Sequence, residues 1–181
     1  ADAFVRAANA VATELPAMAV VQGFFEEVAA HIVETYGRAD TVICSGLLHE
    51  VPDQISLLRA IRASMGENAL LHVNVPSANS LHRRLAKAMG IIGSLNDPSA
   101  RNVRMQQHRV YDLPTLRDDL LAAGLRPVGS GGIFLKPFTH AQMERVVQAL
   151  DADILPGLAL LGREFPELAS EVFVEAVADG Q

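Results

Sequence analysis

One cysteine, Cys44, is all the thiol this 181-residue chain carries. A lone cysteine closes no internal disulfide, and a cysteine-based metal site needs several. The expected compartment is therefore reducing, the cytoplasm. Cys44 itself sits in a strand-like run and reads as a small buried hydrophobe rather than a nucleophile. No apolar run approaches the roughly 20 residues of a membrane span. The first residues, Ala-Asp-Ala-Phe, lack an initiator Met and a basic signal-peptide start, so processing or truncation enters the reading. Also missing are a His-Glu-x-x-His metal pair, a Gly-x-Ser-x-Gly nucleophile elbow and a phosphate-binding P-loop. No metal is expected. Positive charge is scarce as well: the net charge of -6 argues against general nucleic-acid binding.

What is present suits one globular domain. Half the residues are hydrophobic and a fifth are charged. The scarce cations are unevenly spread. Between His82 and Arg109 there are six (Arg83, Arg84, Lys87, Arg101, Arg104, Arg109) against the single acid Asp97. Such a segment on an acidic chain is either a contact for a local anionic partner or a solvated face.

Hydrophobic spacing predicts alternating helices and buried strands. Residues 3–15 predict an amphipathic helix stopped by Pro16, and 18–22 a short buried strand closed by Gly23. Residues 26–36 predict a helix, 41–45 (Thr-Val-Ile-Cys-Ser) a strand, and Asp53 caps a further helix through Met65. Residues 69–75 (Ala-Leu-Leu-His-Val-Asn-Val) predict a third strand. This alternation is the signature of a parallel sheet covered on both faces. The second half is less regular. A helix is expected over 79–89, a loop or lid over 90–107, and a helix over 114–123 with Pro114 in its first turn. Next come a glycine-containing strand over 126–136, a helix opened by a Thr139–Gln142 capping box, a short helix over 154–162 and a last strand over 171–177. No repeat, low-complexity tract or interdomain linker is visible, so 1–181 is expected to be one domain with 77–111 as its substrate cap.

The run 40–53 (Asp-Thr-Val-Ile-Cys-Ser-Gly-Leu-Leu-His-Glu-Val-Pro-Asp) resembles the fourth strand and adjoining turn of class I S-adenosylmethionine-dependent methyltransferases. The helix ending near Gly66, the strand at 69–75, the stretch His108-Arg-Val-Tyr111 and the run Ala122-Ala-Gly-Leu125 resemble the later elements of that family. The run 132–138 (Gly-Ile-Phe-Leu-Lys-Pro-Phe) resembles a subgroup associated with small molecules or cell-surface sugars. The resemblance covers nearly the whole chain. It implies an α/β, Rossmann-like sheet of order 3-2-1-4-5-7-6, mostly parallel with an antiparallel last strand.

It also implies a glycine-rich cofactor loop after the first strand and an acid after the second, and neither can be placed here. Gly129-Ser-Gly131-Gly132 falls in the expected sixth strand. The sheet is thus expected to be incomplete at its N-terminal side, with 18–22 lacking a neighbour. A compromised sheet, a partner chain in the gap, or a segment of a longer protein would each account for this; the last is the expectation, and the segment alone is expected to bind the cofactor poorly.

The resemblance implies S-adenosyl-L-methionine as cofactor and assigns candidate residues. Gly23, Phe24 and Phe25 would flank its adenine, unless the two phenylalanines are core. Ser45, Gly46 and Leu47 leave the fourth strand at its carboxyl end, where open parallel sheets bind ligands, and would line the methionine part. His49 would take a proton from the acceptor, with Glu50 orienting it or acting itself, or one of them tethers the next helix. His108 is a further candidate base. Asn74, Arg109 and Tyr111 are candidate substrate contacts, although the last two also suit a lid anchor. His72, on the face of Asn74, reads as a core histidine, and Lys136 as surface or substrate rim.

The implied activity is methyl transfer to oxygen or nitrogen of a small molecule, such as a sugar or an anionic conjugate. The alternative is a non-catalytic α/β interaction module or partner subunit of the same fold. A dinucleotide or nucleotide-sugar enzyme is a third reading, weakened by the same missing loop. A homodimer is compatible with the sequence.

Overall fold

The computed structural model describes residues 2–15, 17–98, 109–150 and 153–179. Helices α1 (Asp2–Glu14) and α2 (Phe25–Tyr36) lead into β1 (Ala39–Ser45), α3 (Gln54–Ser64) and β2 (Met65–Pro76). Then come α4 (Leu81–Ala88), α5 (Leu113–Ala122), β3 (Leu125–Ile133), α6 (His140–Ala149), α7 (Ile154–Glu164), a 3-10 turn (Pro166–Leu168) and β4 (Glu171–Ala178). No helix among the described residues is long and apolar enough to cross a membrane.

The four strands form one sheet of order β1-β2-β4-β3. β1 runs parallel to β2, with Ser45 opposite Asn74, while β4 is antiparallel to both β2 and β3. This is the expected 4-5-7-6 part of the sheet. The expected strand at 18–22 is a correction: the segment contains none. Among the described residues its backbone has no neighbouring strand to pair with, and a strand exists only through its ladder. β2 also begins earlier than expected, at Met65, because its amino end still pairs with Ala39 of β1.

One face of the sheet is dry. Leu71, Val73 and Val75 of β2 alternate inward and meet Val172, Val174 and Ala176 of β4 and Leu125 of β3. Leu57, Leu58 and Ile61 of α3, with Leu116 and Leu120 of α5, close this layer. Each of these buried aliphatic side chains contributes about 1.5–3 kcal/mol of transfer free energy. Asp53 caps α3 by accepting from Ser56 N–H at 2.9 Å, and Asp112 caps α5 by accepting from Thr115 N–H at 3.0 Å. Cys44 lies in the core at 4 % exposure, and burial pushes its thiol pKa up to about 11, which keeps it inert. The other face is thinner over β1, where Ile43 is 71 % exposed.

At its carboxyl end β3 is fixed by α7. A Cβ on Gly132 would lie 2.5 Å from the Gly162 carbonyl oxygen, and one on Gly162 would lie 2.5 Å from the Phe134 nitrogen. Only two glycines let these backbones touch. Phe134 then takes φ +58°, its carbonyl accepts from Ser170 N–H at 2.8 Å, and Leu135 N–H donates to the Leu158 carbonyl at 2.9 Å. Gly132→Ala should therefore lower stability by about 2 kcal/mol or more through overpacking. Chemical denaturation of the variant beside wild type checks this; an unchanged midpoint would show that the crossing relaxes freely.

Candidate functional site

β1 and β2 both end, in the same direction, at a shared rim. β1 passes into Ser45-Gly46-Leu47, all three exposed, with Leu47 at 42 %. Gly46 has φ +61°, and a Cβ there would meet nothing within 4 Å. The turn is nonetheless held: Gly46 N–H donates to the Asn74 carbonyl at 3.0 Å. A left-handed glycine in open space at the carboxyl end of a parallel strand permits close backbone approach of a ligand. Behind the turn Leu48 is fully buried and anchors it in the core.

His49 is next along the chain at 6 % exposure, its Nε2 3.7 Å from Glu50 Oε1, while the Glu50 side chain is 41 % exposed. His49 looks onto a narrow cleft bounded by the turn after β2 at Pro76–Ala78, by Arg83 of α4 and by Arg109. The cleft is small, with about 30 Å³ of space, and suits a single polar functional group.

Arg109 and Tyr111 belong to a short segment docked on the extension of β2. Ser77 pairs with Tyr111 in a parallel bridge, and Ala78 N–H donates to the Tyr111 carbonyl at 2.7 Å. Asp119 of α5, 5 % exposed, grips both side chains: Arg109 Nη2 lies 2.9 Å from Oδ1, and the Tyr111 hydroxyl donates to Oδ2 at 2.7 Å. The guanidinium also stands 5.3 Å over the Tyr111 ring. Burial, and then the bond to Asp119, raises the Tyr111 pKa, so the phenol stays protonated. Tyr111 is wholly buried and its hydroxyl is committed, which makes it an anchor for Arg109.

Of the other candidates, Asn74 is 7 % exposed and donates to Glu171 Oε2 at 2.7 Å, joining β2 to the start of β4. His72 stacks on Phe173 at 5.1 Å and faces Glu175 at 3.9 Å. Phe24 is 73 % exposed, whereas Phe25 packs on the core. Gly23 sits at φ +155° against Val28. His108 lies outside the described residues. The structure thus brings His49, Glu50 and Arg109 together, with Ser45, Gly46 and Leu47 continuing the same rim through the Ser45–Asn74 register. Sequence reasoning misses Asp119 and the particular place of Arg83. The signal for Asp119 is its spacing from Leu116 and Leu120, which puts an acid on the inward face of α5. Arg83 carries no such signal beyond the basic run.

Arg83 spans from α4 to the loop beyond it. Its Nη2 donates to the Leu95 carbonyl at 2.8 Å and the Asp97 carbonyl at 2.6 Å, and its Nε to Leu95 at 3.2 Å. Burial lowers its pKa, with Asp97 opposing the shift. Next to it, burial, and then like charge from Lys136 and Arg83, lowers the His82 pKa from 6.5 to about 4.

Residues 2–130 match a family described as a methyltransferase domain. No curated protein matches the chain. Among solved structures it is similar to an S-adenosylmethionine-dependent methyltransferase from Archaeoglobus fulgidus, with TM-score 0.50 and 13% identity over 90% of this chain and 68% of that one. It is similar to the mitomycin 7-O-methyltransferase, with TM-score 0.53 and 14% identity over 96% and 39%. An O-methyltransferase from neocarzinostatin biosynthesis, in complex with S-adenosyl-L-homocysteine and 1,4-dihydroxy-2-naphthoic acid, gives 0.51 and 17% over 96% and 39%. At these identities the likeness is one of fold, and the chain spans about two-fifths of each O-methyltransferase.

The buried polar groups of this region generate two expectations. Tyr111→Phe strips Asp119 of a donor inside the core and should cost about 1–3 kcal/mol in urea unfolding; no loss would mean that Arg109 alone satisfies the carboxylate. His82 acts on pH dependence. The unfolded chain takes up this proton near pH 6.5 and the folded chain only near 4. His82 therefore withdraws stability as pH falls through that window. His82→Asn should flatten the fall in melting temperature between pH 6.5 and 4, and a slope equal to wild type would remove His82 from the account.

Proposed function

Because the chain belongs to the methyltransferase-domain family, we propose that it forms the acceptor side of an enzyme that moves a methyl group from S-adenosyl-L-methionine to an oxygen or nitrogen of a small molecule. The observation that carries the reading is the shared rim: the open Gly46 turn at the end of β1 stands beside a cleft lined by His49 and Arg109. S-adenosylmethionine is the cofactor of this fold, and its product form is bound in the neocarzinostatin-pathway complex. The residues present fit part of such a group. Ser45, Gly46 and Leu47 offer an exposed wall with room for close approach. Gly23 and Phe24 would face the adenine, with the exposed ring of Phe24 able to stack, while Phe25 packs on the core behind them. The glycine-rich turn and the ribose-binding acid of the fold have no counterpart within these 181 residues.

The cofactor supplies an electrophilic methyl on sulfur, so the protein has little chemistry to add beyond placement and a base. His49 takes the proton from the acceptor hydroxyl or amine as that atom becomes the nucleophile, and Glu50 at 3.7 Å offsets the imidazolium charge that results. His108 is a second candidate for the same role. Arg109, held by Asp119, faces an anionic or hydroxylated part of the acceptor, Asn74 backs the site from β2, and Tyr111 fixes the segment. Residues 77–111 act as a cap within a single domain. The O-methyltransferases of antibiotic biosynthesis among its structural neighbours favour oxygen as the accepting atom.

A second reading rests on a different observation. The outer edge of β1 pairs with no strand among the described residues, and Ile43 on it is 71 % exposed. An unpaired edge is a template for another chain, as an interaction module or partner subunit would need. Calorimetric titration of S-adenosyl-L-homocysteine into the 181-residue chain and into the full product of its gene separates the two. Micromolar binding by the full product, weakened about tenfold or more by Gly46→Val, is the expected result. No binding by either would overturn the enzyme and leave the module.

A further inference from the structure

Arg83 is a half-buried cation on this molecule's rim that makes no ion pair among the described residues. Its guanidinium is held by two carbonyl oxygens, of Leu95 and Asp97. Carbonyls accept its protons but bring no negative charge. Among the described residues Arg83 makes no ion pair, whereas Arg109 across the cleft is matched by Asp119. The carboxylate of Asp97 accepts from Ser94 N–H at 2.7 Å and makes no ion pair with Arg83, acting on it only through space. A half-buried cation of this kind costs desolvation energy that an oxyanion would offset. Arg83 and Arg109 both line the cleft, Arg109 has guanidinium donors beyond the one on Asp119, and the space suits one small polar group.

We propose that the cleft between the turn after β2, Arg83 and Arg109 is an oxyanion subsite that takes the carboxylate, phosphate or sulfate of the methyl acceptor. The assignment rests on the reading of this rim as the acceptor side of a methyltransferase. It makes Arg83 the specificity-determining residue and Asp119 a positioning residue. Asp119 acts by fixing Arg109 at 2.9 Å, which holds the guanidinium at the cleft it lines. His49 and Glu50 lie on the same rim, and the carboxylate of Glu50 sets a limit: it repels a second negative charge. The acceptor therefore carries its charge at one end and its hydroxyl or amine toward His49. Because the Arg83 guanidinium also carries residues 95 and 97, a ligand seated on it is linked to the root of the cap.

The test is binding of three probes to the 181-residue chain by calorimetry: 1,4-dihydroxy-2-naphthoate, the uncharged 1,4-dihydroxynaphthalene, and inorganic phosphate with sulfate as its pair. The naphthoate should bind about ten- to a hundredfold more tightly than its uncharged counterpart. Arg83→Gln should erase that difference. Arg83→Lys, which keeps the charge, should restore part of it, and Arg84→Gln on the exposed side of α4 should leave it intact. Asp119→Asn should weaken the charged probe without touching the uncharged one, and thermal melts of each variant separate unfolding from lost recognition. Phosphate or sulfate binding in place of naphthoate would assign the subsite to those anions. Equal affinity for charged and uncharged probes, binding of none of the oxyanions, or equal losses in Arg83→Gln and Arg84→Gln would overturn the proposal. The cofactor titration stands apart: oxyanion binding without S-adenosyl-L-homocysteine binding would fell the enzyme and keep the subsite, and the reverse would do the opposite.

Discussion

β2 is hydrogen-bonded along both edges, to β1 in parallel and to β4 in antiparallel register, and its Leu71, Val73 and Val75 are fully buried. A strand so placed satisfies its main-chain groups within the sheet, and its position dictates that of its neighbours. The register of Ser45 on Asn74 brings the ends of β1 and β2 level, which is what gives the molecule one functional rim rather than two separate turns. The extension of β2 past Pro76 then captures Tyr111 through the Ser77 bridge, and Tyr111 brings Arg109 with it. The path from core to cleft is thus a single run of backbone, stiffened at its far end by one buried carboxylate, Asp119.

The fold is largely legible because its strong elements are those whose pattern has one solution. The run 41–45 has β-branched residues bounded by breakers, and β1 lies there; Asp53 sits where a helix start needs an acceptor, and it caps α3. The segment 18–22 has the same local character as β1 and forms no strand. Local apolar content does not supply a hydrogen-bonding partner, and the partner is the part of a strand that a short window of sequence cannot contain. The beginning of β2 escapes the sequence for a related reason, since Gly66 and Glu67 look like a turn until Ala39 is seen opposite Met65.

The site is legible in its types and less so in its assembly. Position along the chain singles out His49, Glu50 and Arg109, and the structure sets them around one rim. Asp119 is harder to find because an acid beside another acid on an amphipathic helix looks like a solvated face. Its meaning depends on Tyr111 and Arg109, which reach it from the segment just before α5. Arg83 is one of six cations in a basic stretch, and its distinction, a guanidinium hydrogen-bonded to two backbone carbonyls, exists only once Leu95 and Asp97 fold back on it.

The contact of Gly132 with Gly162 has a bearing on how this sequence can change over time. The two residues belong to a strand and a helix separated by a further helix, yet a side chain on Gly132 would strike Gly162 and Pro166, and one on Gly162 would strike Phe134 and Leu135. Each position is closed to a side chain for as long as the crossing stands, so the same packing holds both. A descendant that keeps this crossing keeps both glycines. One that loses either must rebuild the packing of α7 on β3 and, with it, the turn at Phe134 that leads away from the sheet.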